Sequence, residues 1–454
     1  MNNKWNYQAG EYFLRNHHYL TLLSAMKLRF FTAFLVLLLS ISSTTAQANK
    51  IAYIDITSAN ARKINIAVPW FVNSDQPGRL QNLGRDLADT LAGSLVFHGI
   101  FNLIPGERYG NRQDTNWKST GADFVVLGTY TLSAKGMTIE IRLLDVAGGD
   151  MLMGKRYNGK RDHQQSMLFR FTDSVVKEMT GESGISSSKI AFVSDSNGHK
   201  EAYLTDILGQ KVRQITRHKN LVVSPRFLPG GRYMTYTSYH SGNSNLYITD
   251  LKQSRTTRPL SRRSGMNLAP AWSPDGKRMI LTLSKDGNPD LFLLDRKGKI
   301  IKQLTRRSGI NVSPTWSPDG KQVAFVSDRS GRPQIYLMTL GNGKMQRLTF
   351  KGRENAEPDW SPKGDLITYS SLVDGSYQIF TIATVPGSSP RQITNGPGQH
   401  ESPTWSPDGK QILFSLRKGQ NQKIYAVLKN GTHMRKLFNI NGNQTYPRWT
   451  RSQD

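Results

Sequence analysis

One nine-residue phrase constrains this chain more than anything else in it: Ser313-Pro314-Thr315-Trp316-Ser317-Pro318-Asp319-Gly320-Lys321. Nearly the same words occur at Ala269–Lys277 and Ser402–Lys410, with a variant at Glu357–Gly364 and two worn copies at Pro225–Gly230 and Pro447–Thr450. The anchor aromatics are Phe227, Trp272, Trp316, Trp360, Trp405 and Trp449, at successive intervals of 45, 44, 44, 45 and 44 residues. A period of that size marks a repeat architecture, and a four-stranded propeller blade has about this length.

Each copy carries its own grammar. Ser-Pro-Asp-Gly is turn chemistry: Pro fixes φ, Asp offers a local side-chain hydrogen bond, and Gly accepts a positive φ. The apolar, β-branched run Gln322–Val326 then reads as a buried strand. A polar turn, a second strand (Gln334–Leu340), a Gly turn and Met345–Thr349 follow. With the Pro-x-Trp strand that makes four strands per repeat. One such sheet cannot bury both faces alone, so blades must stack around an axis, with the Trp as an inter-blade core residue.

Closure is legible at the ends of the repeat region. Three strands precede the first anchor (Lys189–Ser194, Ala202–Asp206, Val212–Thr216), and one follows the last loop (Tyr446–Thr450). Three and one complete a sixth blade, which removes the open edge of a linear array.

Upstream, the first 48 residues have the form of an export signal. Lys27 and Arg29 precede a twelve-residue apolar run, Phe30–Ile41, and Ala46-Gln47-Ala48 supplies a small-x-small cleavage pattern. The run is shorter than the roughly 20 residues that span a bilayer. Met26 offers an alternative start, which makes residues 1–25 an N-terminal extension. Residues 49–180 lack the repeat. Strands are expected at Ile51–Ile56 and Lys63–Val68, a helix over Leu80–His98 with Leu83, Leu87, Leu91 and Leu95 on one face, and a short strand at Phe101–Ile104. A three-strand meander (Asp123–Leu132, Met137–Val146, Met151–Tyr157) and a second helix, Met167–Met179, follow. Helices on a small mixed sheet make an α+β domain. Residues 181–188 read as a short polar linker. The expected architecture is therefore an α+β N-terminal domain followed by an all-β six-bladed β-propeller, residues 189–454, closed by the C-terminal strand.

The search for reaction chemistry comes back empty. No Gly-x-Ser-x-Gly elbow, Walker loop, His-Glu-x-x-His or Gly-x-Gly-x-x-Gly is present, and the nine histidines are scattered. The Asp-Gly pairs lack calcium-loop spacing and read as turns. With no cysteine there is neither a disulfide nor a thiolate metal site. Neither a cofactor nor a metal is expected, and the chain reads as a binding protein rather than an enzyme.

Propellers bind where loops from every blade converge. The residues before each Pro-x-Trp strand should surround one mouth: Val223 and Ser224, Asn267 and Ala269, Asn311 and Ser313, Asn355 and Glu357, His400 and Glu401, Thr445 and Tyr446. Asn recurs three residues before Pro in three blades, either to support the turn with its own hydrogen bonds or to touch a partner. Glu357, His400 and Glu401 are candidates to face a basic or polar partner. The formal charge is +27, and removal of residues 1–48 takes away four basic side chains and one acidic one to leave +24. The charge is spread without a dense tract or base-stacking motif, so nucleic acid is not the expected partner. Solvation, or an anionic envelope surface, accounts for it.

Taken together, the export signal, the segment Lys50-Ile51-Ala52-Tyr53-Ile54-Asp55-Ile56, the phrase Asn65-Ile66-Ala67-Val68-Pro69-Trp70-Phe71 and the six blades resemble the TolB family, the periplasmic component of the Tol–Pal system, over residues 49–454. The resemblance implies a periplasmic, non-spanning, monomeric scaffold. It implies a Pal-like peptidoglycan-associated lipoprotein held at the mouth and TolA engaged by Asn49, Lys50, Ile51, Ala52, Tyr53, Ile54, Asp55, Ile56 and Thr57. Bacteriocin translocation peptides are a further implied ligand of the mouth, and support of outer-membrane integrity and division the implied role. A peptidase-associated propeller and an envelope-polymer-binding propeller remain the rival readings.

Overall fold

The computed structural model describes residues 62–77, 81–253 and 257–450. The export signal, the strand expected at Ile51–Ile56 and the segment Asn49–Thr57 lie outside them.

The N-terminal domain is built on one mixed sheet. Strands β1 (Ile64–Ala67), β2 (Val72–Asn73), β3 (Phe101–Leu103), β4 (Phe124–Ser133), β5 (Gly136–Asp145) and β6 (Met151–Gly159) run in the spatial order β3-β1-β4-β5-β6, and β2 extends β4. The first three are parallel to their neighbours, while β4, β5 and β6 form the antiparallel meander. Two helices, α1 (Asn82–Phe97) and α2 (Gln164–Thr180), cover one face. Leu87, Leu91 and Leu95 repeat every fourth residue and are all buried with Val126, Ile139 and Phe171. Helix α2 stops at Gly181, whose φ of 74° a side chain disfavours and whose N–H caps the carbonyl of Lys177.

The propeller has six four-stranded sheets. Blade 1 starts with Val222–Phe227 and blades 2 to 5 with Asn267–Trp272, Asn311–Trp316, Asn355–Trp360 and Gln399–Trp405. Blade 6 takes its innermost strand, Gln444–Trp449, from the end of the repeat region. Lys189–Ser194, Glu201–Asp206 and Arg213–Gln214 supply its other three. The final strand pairs antiparallel with Lys189–Ser194, and the Lys189 N–H donates to Thr450 Oγ1 across 261 residues of sequence.

Each anchor Trp lies between two sheets. Trp316 is 3 % exposed and packs against Ala271, Ile280 and Leu293 of blade 2 as well as Val323 and Phe325 of its own blade. Its indole N–H donates to the Ala271 carbonyl at 2.9 Å, and the Trp405 indole does the same to Asp359 at 3.2 Å. The Ser-Pro-Asp-Gly turns close as their chemistry dictates. Ser317 Oγ donates to Asp319 Oδ1 at 2.5 Å, the Lys321 N–H reaches the same carboxylate at 3.0 Å, and Gly320 takes a φ of 71°.

The short segment between the domains is not a free linker. The carboxylate of Asp173 accepts the Ser186 and Ser187 N–H groups and the Ser187 hydroxyl, and Ile185 is buried in a core shared with Phe97, Phe169, Phe192 and Trp449. Ser-rich composition suggested solvation; a single carboxylate at the right place converts the same N–H and O–H donors into anchors. The N-terminal domain docks on the end of the propeller where the Ser-Pro-Asp-Gly turns lie. Gln411 Nε2 and Arg435 Nη2 both donate to the Phe97 carbonyl, and Glu182 pairs with Lys363 and Lys410.

His98 sits at this junction, 3 % exposed. The Ile185 N–H donates to its Nε2 at 3.1 Å, which leaves Nδ1 as the protonated nitrogen facing the Ser94 carbonyl at 2.9 Å. Burial lowers its pKa from the ordinary value, against a smaller opposing pull from Asp173 and Asp408 and a small addition from Lys410. The unfolded chain therefore binds the proton first, and the stability from neutral His98 is complete above about pH 6.5 and lost as pH falls below it. His98→Gln should flatten the fall in melting temperature between about pH 7 and pH 5. For the blades, Trp316→Ala should cost about 3–5 kcal/mol in denaturant unfolding.

Candidate binding site at the propeller mouth

The innermost strand of every blade contains a proline, and proline has no N–H to give the ladder. The fold accommodates this with a bulge at the same place six times. Pairing to the second strand shifts register between Val223 and Arg226, Leu268 and Ala271, Val312 and Thr315, Ala356 and Asp359, Glu401 and Thr404, and Thr445 and Arg448. The residue before each proline is left-handed: Ser224, Ala269, Ser313, Glu357, Ser402 and Tyr446 have φ between 49° and 56°. Non-glycine residues rarely adopt this conformation, least of all before proline, and six repeats of it reflect one shared constraint.

The bulge sorts the residues expected at the mouth into two kinds. The position three before proline turns inward: Asn267, Asn311 and Asn355 are 0 % exposed and His400 is 1 % exposed. Asn311 Nδ2 donates to Asp290 Oδ1 of blade 2 at 3.0 Å, and its Oδ1 accepts from Arg329 at 2.8 Å. Asn355 Nδ2 reaches Gln334 Oε1 of blade 3 at 2.8 Å, while Asn267 is held by Ser261 and by carbonyls of its own loop. His400 packs with its ring tilted against Phe414 and bonds the Tyr377 carbonyl. Of the two roles open to these Asn residues, the geometry selects support of the loop and of the neighbouring blade. All three are buried clamps and not surface side chains.

Glu357 is likewise tied down. Its carboxylate accepts the Ser402 N–H and hydroxyl, and Asp359 accepts Thr404 Oγ1 and the Trp405 N–H, so two carboxylates of blade 4 clamp blade 5. The half-buried positions at the opening are Val223, Ala269, Ser313, Glu401, Thr445 and, with its hydroxyl pKa raised by burial, Tyr446. Burial raises the Glu401 pKa, and the adjacent Glu357 raises it further.

The structure adds residues that the repeat register did not single out. Met266 (43 % exposed) and Ile310 (47 % exposed) stand immediately before the buried Asn of blades 2 and 3. Arg262, Arg306 and Arg307 in the same loops are exposed. At blades 4 and 5 three carboxylates gather, Glu354, bonded by the Tyr377 hydroxyl at 3.0 Å, with Glu357 and Glu401, while Arg353 and Arg417 stay exposed nearby. The available signal was a large apolar residue in a loop whose turn is held by the Asn after it. The mouth is thus a rim with exposed apolar and basic side chains and a group of half-buried carboxylates at blades 4 and 5, and among the described residues no cluster of three or more metal-ligating side chains accompanies it. Asn311→Ala should lower stability by about 1–3 kcal/mol through the loss of its bonds to Asp290 and Arg329, measurable by denaturant unfolding.

Comparison with known proteins gives this geometry a family. A family model described as "TolB beta propeller domain" matches residues 176–453, and one described as "TolB amino-terminal domain" matches residues 52–152. The Tol-Pal system protein TolB of Desulfotalea psychrophila is 52 % identical over 244 residues, 53 % of this chain and 56 % of that protein. The protein of the same name from Desulfosudis oleivorans is 38 % identical over 216 residues, 45 % of this chain and 49 % of that one. The chain thus spans about half the length of these curated relatives. The crystal structure of TolB from Acinetobacter baumannii superposes with a TM-score of 0.75 at 26 % identity, covering 88 % of this chain and 99 % of that one. The chain belongs to the TolB family of Tol–Pal system proteins.

Proposed function

We propose that this chain is a periplasmic protein-binding scaffold of the Tol–Pal envelope system, which holds a Pal-like outer-membrane lipoprotein at the propeller mouth and engages TolA through Asn49–Thr57. The observation that carries this reading is the inequality of the propeller's two ends. The turn end is covered in part by the N-terminal domain through Phe97, Glu182 and the shared core. The mouth end carries exposed Met266 and Ile310 among exposed arginines. Exposed apolar side chains ringed by charge are the composition of a protein-recognition surface rather than of a solvated rim. Among the described residues no helix is long and apolar enough to cross a membrane, in keeping with a peripheral component.

The mechanism is an exchange of partners. An extended N-terminal segment pairs with another protein by strand addition. Where its docking on the body depends on the occupancy of the mouth, binding at the two sites is coupled, and the coupling is reciprocal. Such a component links inner-membrane energy to the outer membrane during constriction without altering a covalent bond.

Pull-down from solubilised envelopes tests the first half: a peptidoglycan-associated lipoprotein should be captured. The double variant Met266→Glu, Ile310→Glu should weaken that capture about tenfold or more with an unchanged melting temperature. Deleting residues 49–57 should abolish TolA binding and shift affinity at the mouth. Failure to capture any such lipoprotein, or a deletion that leaves both affinities untouched, refutes the reading.

A further inference from the structure

The residue after each bulge proline points a different way from those at the mouth. Arg226, Ala271, Thr315, Asp359, Thr404 and Arg448, one from each blade, all line a single axial cavity of about 290 Å³. This girdle is charged unevenly. The two arginines belong to blades 1 and 6, which are neighbours in the ring, and Arg448 lies on the closing strand Gln444–Trp449. Asp359 belongs to blade 4, on the far wall from Arg226.

Neither guanidinium is paired with a carboxylate. Arg226 donates from Nη1 to the carbonyl of its own neighbour, Pro225, at 3.1 Å. Arg448, only 6 % exposed, directs Nη1 at the carbonyls of Pro447, Pro403 and Ser402 at 2.9, 3.1 and 3.5 Å, and its buried Nε has no partner. Asp359 and Glu357, the nearest opposing charges, already accept N–H and hydroxyl donors from blade 5. Burial and the adjacent Arg448 both depress the pKa of Arg226, as expected where two like charges line one narrow cavity. An arginine side chain stays charged in proteins, so this repulsion cannot be relieved by loss of a proton.

We propose that the channel is a binding site for a small oxyanion, seated between Arg226 and Arg448 at the ring seam. Guanidinium groups match oxyanions in both charge and planar hydrogen-bond geometry. An anion there accepts the Arg226 guanidinium N–H groups that the protein leaves unused and meets two positive side chains and one carboxylate, Asp359, among the residues that line the cavity. It also ties the closing strand to blade 1. The site is separate from the mouth, and does not depend on which polypeptide the mouth holds.

The test uses the purified chain with inorganic phosphate or sulfate as the probe, chloride serving as the control at matched ionic strength. Phosphate or sulfate should raise the melting temperature beyond the chloride control, as any ligand selective for the folded state does. Calorimetry should find one site per chain. Arg226→Gln, whose native side chain bonds only its own neighbour's carbonyl, should fold and weaken binding about tenfold or more. Arg448→Gln should do the same where it folds, and Asp359→Asn should tighten binding by removing the opposing charge. Stabilisation no greater than that of chloride, stabilisation by calcium in place of phosphate, or binding that is indifferent to Arg226→Gln would each overturn the proposal.

Discussion

Everything in this propeller depends on one strand pairing: Gln444–Trp449 against Lys189–Ser194. A four-stranded blade left with three strands exposes a row of unpaired N–H and C=O groups and one face of each adjacent core. The closing strand satisfies the ladder and also delivers Trp449 into the core shared with Phe97, Phe192 and Phe438. That core includes residues of the N-terminal domain, so the seam of the ring and the domain interface are the same place. The position of the first domain on the propeller follows from where the ring is joined.

Given a closed ring, the proline in each innermost strand decides what faces the axis. Its missing N–H forces the bulge, and the bulge separates inward, mouthward and axial positions within five residues. The inward position becomes an inter-blade clamp, as with Asn311 on Asp290. The axial position becomes the girdle of Arg226 and its five counterparts. The same phrase that builds the core thus also sets which residues face the mouth and the axis, and the flanking positions differ from blade to blade within one blade geometry.

The repeat made most of the fold legible before any coordinates. Trp spacing gave the blade count, Ser-Pro-Asp-Gly gave the turns, and the three-plus-one division of strands gave the closure, because each rests on local chemistry or on periodicity. Side-chain direction at the mouth was not legible. Register before proline does not by itself separate the buried Asn267, Asn311 and Asn355 from their half-buried neighbours, since the left-handed residue before each proline turns the backbone between them. Glu357 looked available for the same reason, although its acceptors are consumed by Ser402, a residue 45 positions away that only the stacked blades bring near. The segment 181–188 reads as solvated until Asp173, eight residues upstream, is seen to gather its donors. Met266 and Ile310 were passed over because register, and not exposure, was the criterion.

The seam has a kinetic side as well. Pairing Lys189 with Thr450 closes a loop of 261 residues, the kind of non-local contact that raises contact order and slows folding. Five blades can form from neighbouring sequence, whereas the sixth must wait for the far end of the chain to arrive. Until then its three-stranded sheet offers an unpaired edge to any extended polypeptide, including another copy of the chain. A propeller joined in this way completes its ring last, and its most vulnerable interval is the time between the fifth blade and the final strand.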